Sequence, residues 1–316
     1  GWPQYRKVSK AFDEFMPDIV HVVTEGPLGL AVLQSAKSKN IPVTSGFHSA
    51  FQDFSRFYDL AFLVKPIQHY LKWFHNNTQL TCVPSQDTAK AIRDFGVTSA
   101  IEVVKTGVDV EKFSPSFRSA SLRRTWGACE NTTVMLYVGR LSAEKEIDVI
   151  LDAYSSMQMQ IKEQQTNKKI KLIIVGDGPD RMRLEKHVRN QDVVFTGSLS
   201  GTNLAKVFAS ADVFVFASQV ETFGNVILEA MASGLPVVAY NYAAAKLHLD
   251  ETTAWLSPLG QKIHFISNLM QLPNNKVLQG MGQEAVKKVQ KVGWNHSVQQ
   301  LEQAFYRVVQ ETVITA

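Results

Sequence analysis

The sequence holds only two cysteines in 316 residues, Cys82 and Cys129, far apart and without a partner at metal-ligand spacing. A disulfide framework and a structural zinc site are thereby excluded, and a reducing, cytosolic setting is the simplest reading. No run of eighteen apolar residues occurs, so no stretch is suited to cross a bilayer as a helix. Nor does the chain open on a charged-then-apolar signal region. Positive charge is not concentrated anywhere: Lys+Arg 33 against Asp+Glu 29 leaves a net +4 with no polybasic block, too little to argue for nucleic acid. Several chemical signatures are also missing. There is no GxGxxG after a strand, no GxxxxGK[ST], no HExxH and no GxSxG. Dinucleotide redox chemistry, P-loop hydrolysis, zinc proteolysis and serine hydrolysis lose their best markers with them.

What is present is an ordinary globular composition, 45% hydrophobic and 20% charged, in a chain long enough for two domains. Short apolar runs alternate with helical patterns throughout. Asp18–Val23, Ile41–Thr44, Thr81–Ser85 and Ile101–Val104 read as strands of the first half, separated by helices such as Tyr5–Phe15 and Gln86–Phe95. Gly107–Pro115 reads as a linker, after which the pattern restarts with Val134–Val138, Lys171–Val175, Val193–Gly197 and Val213–Phe216. Strands alternating with helices in this way predict doubly wound parallel sheets, two of them, with a cleft between.

The stretch that organises the rest is Ala217–Ala239, ASQVETFGNVILEAMASGLPVVA. It follows an apolar strand, opens into a helix near Gly224 and Asn225, stops at Gly234 and restarts as the strand Val237–Val238. Glu221 and Glu229 flank the helix start, where unpaired N–H groups favour an anion. Arg140 ends a buried strand and Lys145 follows five residues later, so both are suited to phosphate oxygens. A carboxylate near phosphate has a use when it accepts hydrogen bonds from vicinal hydroxyls. Cations for a diphosphate with carboxylates for hydroxyls describe a nucleotide-sugar site. The plainer readings are a solvated loop charge at Glu221, a helix-face charge at Glu229 and a surface pair at Arg140 and Lys145.

Three further features stand out. His48 and Glu25 both follow strand ends, on the side of a parallel sheet where ligands bind, though a loop histidine and a helix-start charge would look the same. Residues 51–77 carry eight aromatic residues with Arg56, Lys65 and Lys72 interspersed. That segment reads first as a core-facing helix and second as a surface for a lipid interface or lipid-linked acceptor. Asp177–Asp180 resembles a metal loop but reads better as a turn leading into a helix.

With ETFGNVILEAMASGLPVVA from Glu221, VGRLSAEKEID at 138–148, VGDGPD at 175–180, ASADVFVFAS at 209–218 and TGVDVEKF at 106–113, the chain resembles the retaining GT-B glycosyltransferases of family 4. PDIVHVVTEGPLG, IPVTSGFHSAF and YLKWFHNNTQLTCVPS extend the likeness to a subgroup with diacylglycerol-linked mannosyltransferases and sulfoquinovosyl transferases. The resemblance implies an α/β GT-B fold: two Rossmann-like domains facing a cleft, the first incomplete at its N-terminus. It places an acceptor-side domain at 1–112, a nucleotide-sugar domain at 113–293, and a helix crossing back at 294–316. The family's opening strand, Gly-rich loop and further βα unit have no counterpart before Trp2, a deficit on the order of 60–80 residues at ~30 per βαβ unit.

By the same resemblance, Gly139, Arg140 and Lys145 hold the donor diphosphate, and Glu221 contacts the sugar hydroxyls. Glu229 takes the ribose, and Phe223, Gly224, Asn225 and Val226 supply backbone contacts. His48 lies beside the reacting sugar. The implied activity is metal-independent, cofactor-free hexose transfer with retention, from GDP-mannose or a UDP-sugar to a glycolipid or other hydroxyl acceptor. Location at the inner face of the cytoplasmic membrane, with peripheral contact through 51–77, follows from that acceptor. A donor-binding remnant without turnover and a GT-B-fold sugar epimerase are the alternatives. The chain departs from the family pattern at Thr106, at Ala243–Ala245 in place of Gly-Gly, and at His248.

Overall fold

The computed structural model describes residues 2–47, 64–188, 191–221 and 224–315. His48, Phe223 and most of the aromatic segment, 51–63, lie outside the described residues. The chain divides into two compact units, one formed by 1–106 with 294–316 and the other by 107–293.

The first unit is built on a four-stranded parallel sheet in the order β1 (Val20–Val22), β2 (Val43–Gly46), β3 (Leu80–Val83), β4 (Ala100–Val103). Neighbouring strands that are consecutive in sequence and parallel require crossovers, and helices supply them. They are α2 (Pro27–Ser38), α3 (Val64–Asn76) and α4 (Gln86–Asp94), with α1 (Tyr5–Phe15) packed on α2. β2 and β3 are buried at every residue, as expected for strands covered on both faces. Two caps show why helices start where they do. Pro27 occupies the first position of α2, where its missing N–H costs nothing, and Ser85 Oγ accepts the Thr88 amide at the head of α4.

The terminal helix, Trp294–Thr315, belongs to this unit although it comes last in sequence. Its Ala304 and Val308 pack on Leu80 and Cys82 of β3. Gln300 Nε2 donates to the Val103 carbonyl at 2.7 Å, and Arg307 pairs with Glu102. The Cys82 thiol sealed beneath it has its pKa pushed up to about 12 by burial.

The second unit carries a six-stranded parallel sheet in the order β10-β9-β8-β5-β6-β7. These strands are β5 (Thr132–Val138), β6 (Lys169–Val175), β7 (Val193–Gly197), β8 (Val213–Phe216), β9 (Val237–Tyr240) and β10 (Ala254–Ser257). Helices α5 (Ala120–Thr125), α6 (Ile147–Glu163), α7 (Arg181–His187), α8 (Gly201–Ser210) and α9 (Asn225–Ala232) precede or connect them. α10 (Ala243–His248), α11 (Lys262–Met270) and α12 (Asn275–Val289) follow β9. One continuous core runs through the sheet, with Phe208, Phe214 and Tyr137 among its largest fully buried side chains. Truncating such a ring to alanine costs about 3–5 kcal/mol. A buried charged post stabilises the base of β8: Asp212 accepts from Arg118 at 2.6 Å, from Arg123 at 2.8 Å and from the Val134 amide at 2.8 Å.

The strand order fixes where the chemistry can lie. From β5 the chain winds outward through β6 and β7, then returns to the other side of β5 and winds outward again through β8, β9 and β10. The loops leaving β5 and β8 therefore diverge at the carboxyl ends of two adjacent strands. That crevice is the topological switch point at which open parallel sheets bind ligands.

Candidate active site

Residues 139–146 leave β5 and residues 217–224 leave β8, so both loops border the switch point. The first is rigid for reasons visible in its glycines. A Cβ on Gly176 would sit 1.9 Å from the Gly139 carbonyl oxygen, and one on Gly178 would sit 2.3 Å from that of Leu141. Only glycine lets the loops after β5 and β6 lie this close. They are joined there by Gly139 N–H to Val175 O, Leu141 N–H to Asp177 O and Asp180 N–H to Leu141 O, each 3.0 Å. Asp177–Asp180 is thus a turn: the Asp177 carboxylate accepts the Gly178 amide and pairs with Arg181. Among the described residues no group of His, Cys, Asp and Glu is arranged to hold a metal ion.

Lys145 ends a short 3-10 turn, Ala143–Lys145, one residue before α6 is capped. Its ammonium donates to the Glu221 carboxylate, to Ser218 Oγ at 3.1 Å and to the Val220 carbonyl at 3.1 Å. It also lies 5.6 Å from the centre of the Phe216 ring. Lys145 and Glu221 side chains are 15% and 16% exposed, so Glu221 is not a solvated loop charge. The two loops are joined a second time by the Gln219 amide, which donates to the Glu144 carbonyl at 3.0 Å. Arg140 differs: it is exposed, and its guanidinium pairs with no described residue. Its carbonyl accepts from the buried Tyr137 hydroxyl at 2.9 Å, which holds the backbone while leaving the side chain available.

Glu144 and Glu146 were not singled out from sequence, and both are structural. Glu144 is buried beside Ser142 Oγ at 2.6 Å. Glu146 adopts a left-handed conformation, φ 44°, and accepts from Tyr240 at 2.9 Å and Lys262 at 2.7 Å. That strained residue turns the chain sharply into α6 directly after Lys145.

α9 begins at Gly224, whose φ of 61° suits glycine, and whose absent Cβ would lie 2.7 Å from Ala244 Cβ. No side chain caps the helix, so its first N–H groups remain available among the described residues. Asn225 Oδ1 is buried without a hydrogen-bond partner there. Glu229 lies one turn further along, half-buried, and burial holds its carboxyl above the usual glutamate range with the Lys112 ammonium opposing. A carboxyl in that state is a strong acceptor for a hydroxyl donor. Ala243, where the resemblance leads one to expect glycine, holds a left-handed φ of 48° without being one.

In the first unit Glu25 is not the solvated helix-start charge that its position suggests. It is buried, and its carboxylate accepts from the fully buried His75 at 3.2 Å. His75 had no signal in the sequence beyond lying within an aromatic helix.

Two family models match the chain: Glycosyltransferase Family 4 over residues 1–112 and Glycosyl transferases group 1 over 132–275. The chain belongs to the GT-B glycosyltransferases. Curated relatives of the chain include Arabidopsis thaliana sulfoquinovosyl transferase, 34% identical over 71% of this chain and 43% of the relative. A GDP-mannose-dependent alpha-mannosyltransferase of Mycobacterium tuberculosis is 32% identical over 84% of this chain and 66% of the relative. Alpha-monoglucosyldiacylglycerol synthase of Streptococcus pneumoniae is 31% identical over 75% and 55%. The chain spans about half the length of the curated relatives it matches. Among solved structures, sucrose-phosphate synthase from Thermosynechococcus elongatus superposes with a TM-score of 0.81 at 19% identity, over 97% of this chain and 77% of that one. Anabaena HepE, solved with UDP and glucose, gives 0.78 at 20% identity over 96% and 80%. These likenesses show the GT-B fold with its two Rossmann-like units.

Proposed function

We propose that the chain carries the donor half of a retaining hexosyltransferase that moves a hexose from a nucleotide sugar to a hydroxyl of a glycolipid or lipid-anchored acceptor. The observation that carries this is the meeting of Lys145 and Glu221 at the switch point, three residues before the uncapped start of α9. The nucleotide's diphosphate binds Arg140, the Lys145 ammonium and the N–H groups of Asn225 and Val226. As the anomeric bond lengthens, negative charge gathers on the leaving phosphate oxygens, and fixed cations and helix N–H groups stabilise it there. Glu221 then accepts from the sugar hydroxyls, and Glu229 from the ribose hydroxyls.

The departing phosphate, not a protein base, draws the acceptor proton, so the new bond forms on the face that the nucleotide leaves and configuration is retained. By the family resemblance, the role proposed for His48 is to orient a hydroxyl or the developing charge. Charge neutralisation by Arg140 and Lys145 substitutes for a metal ion, and no cofactor enters. Relatives whose names include diacylglycerol and GDP-mannose support a lipid acceptor and a nucleotide-linked donor such as GDP-mannose. Such an acceptor brings the enzyme to the cytoplasmic face of a membrane as a peripheral protein, and no described helix is long and apolar enough to cross one.

Incubation with GDP-mannose, UDP-glucose and dioleoylglycerol vesicles, followed by proton NMR of the product, tests the reading. An α-glycoside formed from an α-linked donor supports it. A free epimerised sugar, or nucleotide binding with no transfer, contradicts it.

A further inference from the structure

The first unit contains a buried hydrogen-bonded chain that the proposed donor site does not use. Ser45, near the end of β2, places its Oγ 2.9 Å from His75 Nδ1, and His75 Nε2 lies 3.2 Å from Glu25 Oε1. Ser45 and His75 are fully buried, and Glu25 nearly so. The order Ser–His–Glu is that of a nucleophilic triad. Burial of the serine denies any substrate access to Oγ, so this is not a hydrolytic site. The chain continues from Ser45 Oγ to Thr81 Oγ1 at 3.1 Å and on to Ser99 Oγ at 3.1 Å.

Donor directions follow from the acceptor at one end. A carboxylate only accepts, so His75 Nε2 carries the proton and Nδ1 accepts. Ser45 then donates to His75, which leaves Thr81 to donate to Ser45. The Ser99, Thr81 and Ser45 hydroxyls then point the same way, and such chains strengthen each member, while Thr78, whose Oγ1 lies 3.1 Å from Ser45 Oγ, donates to the His75 carbonyl at 2.8 Å.

The network converges on two strand ends. His75 touches Ser45 and also packs at a tilt against the Phe47 ring, ring centres 5.3 Å apart, so it contacts both residues that flank Gly46 at the end of β2. The Phe47 amide is fixed separately on the Cys82 carbonyl at 2.8 Å. On the other side, the Glu25 carboxylate is held by His75, and the Glu25 carbonyl accepts from Tyr70 at 2.5 Å. Glu25 lies in the loop between β1 and α2, which is tight: a Cβ on Gly29 would fall 1.9 Å from the Thr24 carbonyl oxygen. These are neighbouring strands, and their carboxyl ends are where a parallel sheet presents residues to ligand.

We propose that His75 is a positioning residue of the first unit, setting the loop after β1 and the end of β2 in the one geometry that sugar transfer requires. The transfer it serves is that of the proposed function. Apolar side chains would fill this space at no desolvation cost. A directional polar network selects one arrangement of two loops.

The test compares wild type with His75→Phe, Ser45→Ala and His75→Gln, the last keeping a donor toward Glu25. Amide hydrogen exchange is read residue by residue, together with nitrogen NMR of the His75 ring and nucleotide release from UDP-glucose and GDP-mannose in the presence of dioleoylglycerol vesicles. The expected result is faster exchange confined to 24–29 and 46–47 in His75→Phe and Ser45→Ala. Turnover should fall on the order of 10–100-fold while UDP and GDP affinities stay unchanged, with partial rescue in His75→Gln. The wild-type ring should show a protonated Nε2 and an accepting Nδ1. Loss of protection spread evenly over β1–β4, or unchanged turnover with unchanged loop exchange, overturns the proposal. If wild type releases neither nucleotide, the function reading fails, while the exchange pattern and ring tautomer still decide the role of His75.

Discussion

The ammonium of Lys145 rests in the carboxylate of Glu221, its partner from the loop of the neighbouring strand 76 residues later. The cation proposed for the diphosphate and the carboxylate proposed for the sugar are therefore paired before any ligand arrives. Each holds the other in place, which limits the reorganisation needed when charge develops on the phosphate.

Removing one partner should hurt more than removing both. Lys145→Ala leaves a mostly buried carboxylate unpaired and should lower stability by about 1–3 kcal/mol. Lys145→Met with Glu221→Leu should recover part of that loss. A double-mutant cycle from chemical denaturation should give a coupling of about 0.5–3 kcal/mol, and additive losses would show that the pair is not energetically linked.

Gly224 tests the helix start. Its left-handed backbone and its contact with Ala244 leave no room for a methyl group. Gly224→Ala should cost about 1–3 kcal/mol and displace the α9 N–H groups, weakening nucleotide binding beyond the loss in stability. The opposite change, Ala243→Gly, should be tolerated, because Ala243 already holds a conformation that glycine adopts freely. Melting curves with and without UDP or GDP check both.

Glu229 carries a pH signature. Burial raises its folded pKa above the ordinary 4.5, so the folded state holds this proton more tightly than the unfolded chain. The stabilising contribution is fully present below 4.5 and is lost as pH rises through the folded value. Glu229→Gln should therefore gain stability over wild type as pH rises above 4.5, with the difference closing below it. The same variant should bind nucleotide less well at neutral pH. A Tm difference that is flat with pH would show that burial does not strain this carboxylate.

The sheets were legible because parallel strands buried on both faces leave short, unbroken apolar runs: Val213–Phe216 is β8 without adjustment, and Tyr5–Phe15 is α1. α6 runs on to Glu163, since nothing in Gln158–Glu163 stops a helix. Arg140, Lys145, Glu221 and the Gly224 turn were nominated from strand-end positions, and Lys145 and Glu221 are brought together. Their pairing was not legible, because the sequence separates them by three crossovers and only the strand order makes β5 and β8 neighbours. Glu146 was invisible for a different reason: a left-handed glutamate has no local sequence signal. His75 and Ser45 looked like ordinary core residues, and only three-dimensional contact distinguishes a buried polar network from a greasy helix.

The most direct test of the central claim is calorimetric titration of the full chain with UDP and with GDP, repeated on Lys145→Ala and Arg140→Ala. Saturable binding of one nucleotide, lost or weakened on the order of tenfold or more by either substitution, is what the Lys145–Glu221 site predicts. Binding of equal strength in wild type and both variants, or no binding of either nucleotide, would contradict it.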